Sequence, residues 1–280
     1  MLQADNVSFT WRRRRQRLEG EAPPGIHAVS LTIEDGSRVA LLGPNGSGKT
    51  TLLRLLAGTL VPDSGRVMLD GMDLRQMERT LVARRIATVP QATHLAFEYT
   101  VLEIALMGRY PHLRAFQIEG PADLLIARSA LEATGTASFE DRLFSTLSGG
   151  EKQRVVIASA LAQSAAIMLL DEPTASLDLG YQLEVASVLR RLNAERGLTV
   201  VVATHDLNFA ASLSDTLVLL RDGRLLAAGR TADVLDRAAV RMLYDVDADV
   251  SFHDGAGHLT VVPLERIGHP GQAGGGGRHA

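Results

Sequence analysis

Short apolar runs alternate with longer amphipathic stretches along most of the chain. Four of these runs are continuous, which predicts strands covered on both faces of a sheet. They are residues 39–42, 167–170, 199–203 and 217–220. The helices predicted from the spacing of apolar residues cover 50–60, 181–196 and 206–213. Because strands and helices alternate, the pattern favours an α/β fold with a mainly parallel sheet and helices on both faces.

The N-terminal part has a different pattern, in which apolar and polar residues are mixed. Residues 2–11, 29–33 and 66–69 predict strands, with a turn signal at Asp35-Gly36. We expect these strands to form an antiparallel β portion beside the main sheet.

The middle of the chain, residues 95–160, contains no strand-like run and predicts a helical subdomain inserted into the α/β core. The C-terminal residues are rich in glycine, which predicts disorder. The organisation that we expect is one domain over 1–264, with its core formed by 1–94 and 161–264, and a disordered tail over 265–280.

The composition is that of a globular protein, with 46% hydrophobic and 22% charged residues among 280, so global disorder is excluded. A net charge of -3 gives no chain-wide basic surface for nucleic acid, which we consider an unlikely partner. Cysteine is absent, which excludes disulfides, thiolate metal sites and a cysteine nucleophile. The chain starts without a signal-peptide pattern, and its longest mostly apolar segment, 155–170, falls short of the roughly 20 residues that span a bilayer.

A basic run, residues 12–17, has five arginines in six positions. Three interpretations stay open: a solvated loop, a contact with anionic lipid headgroups, or a contact with nucleic acid.

The segment Gly43-Pro-Asn-Gly-Ser-Gly-Lys-Thr50 fits the phosphate-binding loop pattern G-x-x-x-x-G-K-[ST] between a predicted strand and a predicted helix. Glycines allow backbone N–H groups to converge on phosphate oxygens at the start of the helix. Lys49 would reach the β and γ phosphates, and the Thr50 hydroxyl would bind Mg²⁺. Since the chain has only two lysines, Lys49 and Lys152, a chance match is improbable, and we expect nucleotide binding rather than a simple glycine-rich turn.

Two carboxylates follow a buried strand at Asp171-Glu172. In a phosphate-loop fold the first would hold Mg²⁺ and the second would polarise the attacking water. Taken alone, the pair is also compatible with a solvated strand end.

The segment Leu147-Ser-Gly-Gly-Glu151 begins a predicted helix, and Ser148 with Glu151 fits a capping box. Gly149 and Gly150 are poor residues for a first helical turn, at a cost of about 1 kcal/mol each relative to alanine. The glycines therefore indicate that something approaches this backbone closely, and a second phosphate-bearing group would explain them.

These motifs resemble, in type and in order along the chain, those of the ATPase subunit of ABC transporters. They are the phosphate loop, the Leu-Ser-Gly-Gly-Glu segment, Asp171-Glu172, residues 176–178 and His205. The resemblance covers residues 2–264. It implies the phosphate-loop ABC ATPase fold, ATP and Mg²⁺ as cofactors, and a homodimer in which each ATP lies between one copy's phosphate loop and the other's signature, Ser148, Gly149, Gly150 and Glu151.

The same resemblance implies roles for further residues. The expected catalytic residues are Glu172, His205 and Gln91, and Asp178 is expected at the dimer interface. The expected metal ligands are Thr50, Gln91 and Asp171. The expected nucleotide contacts are Trp11, Gly43, Pro44, Asn45, Gly46, Ser47, Gly48, Lys49, Thr50 and Thr51.

The residues alone leave several of these roles open. Without the resemblance, Gln91 would be interpreted as a loop residue and Asp178 as a capping or turn residue. His205 would be as compatible with a structural role as with catalysis. Strand alternation would bury Trp11 beside Val7 and Phe9, whereas adenine stacking requires the strand to end near residue 10.

Three functions are compatible with an ABC ATPase: a transporter subunit, a non-transport ABC protein acting on ribosomes or DNA, and an ATP-gated binding module. Glu172 argues against a non-hydrolysing module. A single phosphate loop without a long charged heptad insertion argues against the ribosome or DNA role, and an exporter is disfavoured without a fused membrane domain.

Four further segments resemble the ATPases of the importer branch for ferric siderophores, haem and vitamin B12. They are residues 100–103, 107–112, 240–250 and 261–263. This implies import through two separate membrane permease subunits, an indirect substrate-binding protein outside, and a position on the cytoplasmic face of the cell membrane. An importer for another solute stays an alternative. Ser159, where the family usually has arginine, departs from the pattern.

Overall fold

The computed structural model describes residues 1–11, 25–91, 97–175 and 177–267. The strands are β1 (Leu2–Thr10), β2 (Gly25–Ile33), β3 (Arg38–Leu42), β4 (Ser64–Leu69), β5 (Met72–Asp73), β6 (Ile86–Val89), β7 (Ile167–Asp171), β8 (Thr199–Thr204), β9 (Thr216–Arg221), β10 (Arg224–Arg230), β11 (Val246–His253) and β12 (His258–Arg266). The α-helices are α1 (Lys49–Leu56), α2 (Arg79–Arg85), α3 (Val101–Met107), α4 (Pro121–Ala133), α5 (Gly149–Ala162), α6 (Leu179–Arg196), α7 (Leu207–Leu213), α8 (Thr231–Val234) and α9 (Arg237–Tyr244).

A six-stranded sheet in the order β10-β9-β3-β8-β7-β6 forms the centre of the protein. Its strands are parallel except β10, which runs antiparallel to β9. The four strands predicted from continuous apolar runs are β3, β7, β8 and β9, and their interiors are buried as that pattern requires. The predicted mainly parallel α/β architecture is confirmed.

Three of these strands, β3, β8 and β7, are neighbours whose C-terminal ends lie in register. Leu42 of β3 pairs with Thr204 of β8, and Ala203 pairs with Asp171 of β7. The segments that follow the three strands therefore begin at the same edge of the sheet, where open α/β sheets bind ligands.

A second, antiparallel sheet has the order β2-β1-β4-β5 and packs across α1 onto the main sheet. The predicted N-terminal β portion is thus confirmed. The predicted strand over 2–11 ends one residue early, at Thr10, and its register shifts twice, between Ala4 and Val7 and between Val7 and Phe9. These shifts interrupt the regular alternation on which the alternative of a buried Trp11 depended.

Residues 97–162 consist mainly of α3, α4 and α5, which pack against one another. The β pairing within this segment is a single antiparallel bridge between Thr100 and Leu143. Short 3₁₀ turns occupy Tyr110–His112, Ala137–Phe139 and Phe144–Thr146. Helical structure therefore dominates this segment, as its pattern predicted. Within the described part of the chain, no helix combines the length and the apolar character needed to cross a membrane.

The C-terminal helices and the β11–β12 hairpin pack, together with α7, against one face of the main sheet, at β3 and β9. Strand β12 continues to Arg266, which pairs with Val246, and the Ile267 N–H donates a hydrogen bond to the Asp245 carbonyl at 2.9 Å. The prediction that disorder begins at residue 265 is therefore wrong for its first three residues. The rest of the predicted tail, 268–280, lies outside the described residues.

Candidate nucleotide-binding site

The loop over residues 43–48 joins β3 to α1 at the edge of the main sheet. Gly48 precedes the helix with φ of 103°, and a Cβ atom there would lie 2.7 Å from Cδ1 of Ile26. Glycine is therefore required at this position. Because α1 begins immediately afterwards, the N–H groups of its first turn lie beside the loop, as a phosphate site requires.

Lys49 is buried at the start of α1. Its Nζ donates hydrogen bonds to the carbonyl oxygens of Gly43 at 2.8 Å and Pro44 at 3.2 Å, and lies 3.5 Å from Oε1 of Glu172. Burial lowers the pKa of Lys49, and the Glu172 carboxylate partly offsets this effect. These contacts hold a cation at the centre of the loop.

Thr50 and Asp171 bring two oxygen donors together, since the Thr50 hydroxyl donates a hydrogen bond to Oδ1 of Asp171 at 3.0 Å. Burial raises the pKa of Asp171, because desolvation penalises the charged form. Gln91 follows β6 and lines a cavity of about 570 Å³ together with Thr50 and Asp171. Hydroxyl, carboxylate and amide oxygens suit a hard cation such as Mg²⁺, so the donor set fits that ion.

Glu172 follows β7 directly, is buried and has φ of 48°, which is uncommon for a residue with a side chain. Its N–H donates to the Ala203 carbonyl at 2.9 Å, and its Oε2 lies 2.8 Å from Nδ1 of His205. With Lys49 at the other carboxylate oxygen, Glu172 is held between two basic groups. His205 follows β8, and its half-exposed side chain leaves room for a ligand.

Trp11 lies just after β1 and is 40% exposed, so the indole is not part of the core. Its Nε1 donates a hydrogen bond to Oγ1 of Thr51 at 3.1 Å, and its ring meets Phe9 edge-on with centroids 5.0 Å apart. Trp11 lines a cavity of about 420 Å³ whose other lining residues are Gly25, Asn45, Gly46, Gly48, Lys49, Thr50, Thr51, Gln91 and Glu172. One pocket thus joins the indole to the phosphate loop and to Glu172.

The Leu-Ser-Gly-Gly-Glu segment begins α5, away from that pocket's lining. Ser148 caps the helix: its hydroxyl accepts from the Glu151 N–H at 3.3 Å, and Glu151 accepts from the Ser148 N–H at 2.8 Å. The hydrogen bond from the Ser148 N–H to the carboxylate lowers the pKa of Glu151, and the Ser148 side chain acts in the same direction. Ser148 and Gly149 are exposed, which leaves the start of α5 accessible from outside the chain.

Gly150 has an explanation within the chain that the sequence did not give. A Cβ atom at Gly150 would lie 2.3 Å from ring atoms of Tyr181 on α6, whereas one at Gly149 would meet only Leu177, at 3.7 Å. The Tyr181 ring therefore accounts for glycine at position 150 without an external group. A phosphate-bearing group at this helix start stays a prediction.

Asp178 is exposed and caps α6 by accepting a hydrogen bond from the Tyr181 N–H at 3.0 Å. The capping role that its residue type favours is thus observed, and a dimer contact stays a prediction. Its neighbour Ser176 and the basic run 12–17 lie outside the described residues.

The sequence profile of the ABC transporter family matches residues 26–175, more than half of the chain. The chain belongs to this family. The resemblance drawn from the motifs is confirmed, the fold is that of an ABC ATPase, and the predicted enzyme class agrees with the family.

ABC proteins similar to this chain include import subunits. The chain is 41% identical over 253 residues to the "Hemin import ATP-binding protein HmuV" of Bordetella pertussis, covering 88% of this chain and 95% of that protein. It is 42% identical over 236 residues to the "Cobalamin import ATP-binding protein BtuD" of Halobacterium salinarum, covering 84% of this chain. The match spans 59% of that relative's length.

Solved ABC structures share the fold. One, described as an inward-facing metal-chelate type ABC transporter, superposes with a TM-score of 0.80 at 29% identity and covers 94% of this chain and 96% of its own. A dimeric bacterial ABC transporter cassette gives a TM-score of 0.71 at 30% identity, covering 82% of this chain and 99% of its own.

Sequence reasoning missed two tyrosines that contact the ABC motifs. Tyr181 fills the space beside Gly150, and the Tyr244 hydroxyl donates to the His205 carbonyl at 3.1 Å. Neither residue has a local signal, because each contact joins elements more than 30 positions apart. The resemblance of residues 240–250 to one importer branch was the sole hint that the second segment matters.

Proposed function

We propose that this chain binds and hydrolyses ATP. The observation that carries the proposal is the placement of Glu172 between Lys49 and His205, beside a phosphate loop whose Thr50 contacts Asp171. A cation for phosphate, a candidate base and a candidate metal site thus share one edge of the sheet. This is the set of groups that phosphoryl transfer to water requires.

In this proposal the backbone N–H groups of residues 45–51 and the Lys49 ammonium hold the phosphates. Adenine stacks on the exposed Trp11 indole, which is oriented by its hydrogen bond to Thr51. Thr50, Asp171 and Gln91 would hold Mg²⁺, which when bound neutralises charge on the β and γ phosphates.

Glu172 is the proposed general base. Its carboxylate accepts a proton from a water whose oxygen forms a bond to the γ-phosphorus, while the bond to the β–γ bridging oxygen breaks and leaves ADP and phosphate. The hydrogen bond to His205 and the ion pair with Lys49 fix the direction of that carboxylate. His205 itself would face the γ-phosphate.

A second copy of the chain is proposed to complete each site. Ser148 and Gly149 at the exposed start of α5 are absent from the lining of the phosphate-loop pocket, so they are available to a nucleotide held by the other copy. Gly150 and Glu151 would support that helix start, and Asp178 would lie at the interface. The similar bacterial cassette is a dimer, which supports this arrangement.

The proposed biological role is import of a metal chelate, namely a ferric siderophore, haem or cobalamin. The relatives named for hemin and cobalamin import and the metal-chelate type structure support this substrate class. The partners would be two membrane permease subunits and, indirectly, an extracytoplasmic substrate-binding protein. The chain would act at the cytoplasmic face of the cell membrane.

The experiment is Mg²⁺-dependent ATP hydrolysis by the purified chain, alone and reconstituted in liposomes with its permease pair and binding protein. We expect slow hydrolysis alone, strong stimulation on assembly, and chelate uptake that is lost with Lys49→Ala, which removes a charge held against the phosphates. Full-rate hydrolysis that no permease affects would contradict the transporter role, and tight ATP binding by Lys49→Ala would contradict the site.

A further inference from the structure

Tyr244, the last residue of α9, reaches the loop that carries His205. Its hydroxyl donates a hydrogen bond to the backbone carbonyl oxygen of His205 at 3.1 Å, although the two residues are 39 positions apart. The side chain is half-buried and packs against the cluster formed by α7, α9 and β9. The C-terminal segment therefore contacts the candidate catalytic loop from outside the nucleotide pocket.

Neighbouring contacts fix the position of α9 and hence of this phenol. Val240 and Leu243 are buried against β9 and α7. Arg221 of β9 donates to the Met242 carbonyl and forms an ion pair with Asp245 at 2.9 Å. The C-terminal end of α9 is thus tied to a strand of the central sheet.

A second link joins the same loop region to β12. Asn208, in the first turn of α7, accepts from the Val261 N–H at 2.8 Å and donates to the Val261 carbonyl at 3.2 Å. Asp206 caps α7 by accepting from the Phe209 N–H at 2.9 Å. The backbone around His205 is therefore restrained from α9, from β12 and by its own helix cap.

We propose that Tyr244 is a positioning residue for His205. Holding the His205 carbonyl restricts rotation of the adjoining peptide units, which set the direction of the imidazole and its 2.8 Å hydrogen bond to Glu172. The role rests on the proposed function, since it assigns Tyr244 an effect on hydrolysis through His205.

The chemistry of the phenol suits a permanent donor. Burial, with the nearby carboxylates of Glu172 and Asp206, holds the pKa of Tyr244 well above its ordinary value. The hydroxyl accordingly keeps its proton at any pH at which the enzyme works. Phenylalanine would preserve the ring packing and remove only the donor.

The test compares Tyr244→Phe, His205→Ala and the double variant in the full chain. We expect Tyr244→Phe to lower kcat by about three- to tenfold, the worth of one hydrogen bond, and to leave KM within about twofold. In the His205→Ala background the same change should have no further effect on kcat. Tyr110→Phe, which removes the hydroxyl of an exposed tyrosine, is the matched control and should behave like the unmodified chain.

An unchanged kcat in Tyr244→Phe, or an equal loss in both backgrounds, would overturn the proposal. Should His205→Ala be too slow to measure, the ring resonances of His205 in NMR spectra, assigned by their loss in that variant, decide instead. They should shift in Tyr244→Phe and not in Tyr110→Phe, and an unshifted resonance would overturn the proposal. Absence of hydrolysis by the unmodified chain would count against the proposed function, whereas the NMR comparison tests Tyr244 independently.

Discussion

At the scale of single residues, Glu172 combines three unusual features. It is a buried carboxylate, it has a left-handed backbone conformation, and each of its oxygens lies beside a basic side chain. Non-glycine residues with positive φ often lie at functional sites because the surrounding contacts hold the strain. Here the hydrogen bond from the Glu172 N–H to the Ala203 carbonyl, together with the contacts to Lys49 and His205, provides that restraint.

Glu172→Gln should retain ATP binding and lose turnover by about 10²- to 10⁴-fold, because the amide keeps the shape of the side chain but cannot accept the proton. Steady-state hydrolysis and equilibrium binding of a fluorescent ATP analogue measure the two effects separately. Lys49→Ala is the control, in which binding itself should weaken. Unchanged turnover in Glu172→Gln would assign the base elsewhere, with His205 the next candidate.

Trp11→Ala should weaken ATP affinity by about ten- to a hundredfold, the worth of one base stacked on an aromatic ring, without unfolding the protein. The exposed indole at the rim of the phosphate-loop pocket is the reason. Since Trp11 is the only tryptophan, intrinsic fluorescence of the unmodified chain should change with the same midpoint as ATP binding.

Constant fluorescence through saturation, together with a variant whose main defect is a lower Tm, would show that the indole has a packing role. In that case Phe9 or a residue of the 12–25 segment would have to cover the adenine.

At the scale of elements, α5 and α6 are locked together at the start of the signature helix. Tyr181 occupies the space beside Gly150, its ring lies 5.6 Å from the Arg154 guanidinium, and Arg154 pairs with Glu184. Because α6 starts at Leu179, directly after Asp178, the signature segment and the proposed dimer-contact residue are connected through the same contact between α5 and α6. A change in the position of either segment is therefore expected to shift the other.

Gly150→Ala should destabilise the fold by about 1–3 kcal/mol, because the added methyl overlaps the Tyr181 ring and the helices must shift. Gly149→Ala is the matched control in the same helical turn, with only an ordinary contact to Leu177, and it should be neutral or slightly stabilising. Urea unfolding of both variants measures the difference. Equal stability of the two would refute the assigned role of Tyr181 packing.

At the scale of the whole molecule, the phosphate loop and the signature face different surroundings in one copy. The first lines the pocket with Trp11 and Glu172, and the second caps an exposed helix start. Hydrolysis in the proposed mechanism therefore depends on association of two copies, which ATP itself would bridge.

Glu172→Gln should accumulate an ATP-bound dimer, since the bridging nucleotide stays intact. Size-exclusion chromatography with light scattering should show twice the mass of the single chain in ATP and the single-chain mass without nucleotide. Lys49→Ala should stay a single chain in both conditions. A Glu172→Gln chain that remains monomeric at saturating ATP would contradict completion of the site by a second copy.

Prediction from sequence succeeded for those strands and helices whose formation depends on residues close together in the sequence. The apolar runs of β3, β7, β8 and β9 and the strand–loop–helix around Lys49 follow local periodicity and turn chemistry. Strand β6 was missed because α2 passes into it without a glycine or proline boundary. Strand β10 was missed because its sequence, Arg-Leu-Leu-Ala-Ala-Gly-Arg, does not alternate apolar and polar residues, although every second residue is half-buried at the sheet edge.

By itself the sequence determined the family motifs, the α/β class and the residue types of the nucleotide site. Only the tertiary structure decided which of them meet. Thr50 contacts Asp171 across 121 positions because β3, β8 and β7 are adjacent in the sheet, and strand order is a consequence of long-range burial rather than local pattern. The same holds for Tyr181 beside Gly150 and for Tyr244 at His205, since a tyrosine's own neighbours carry no information about the distant backbone against which it packs.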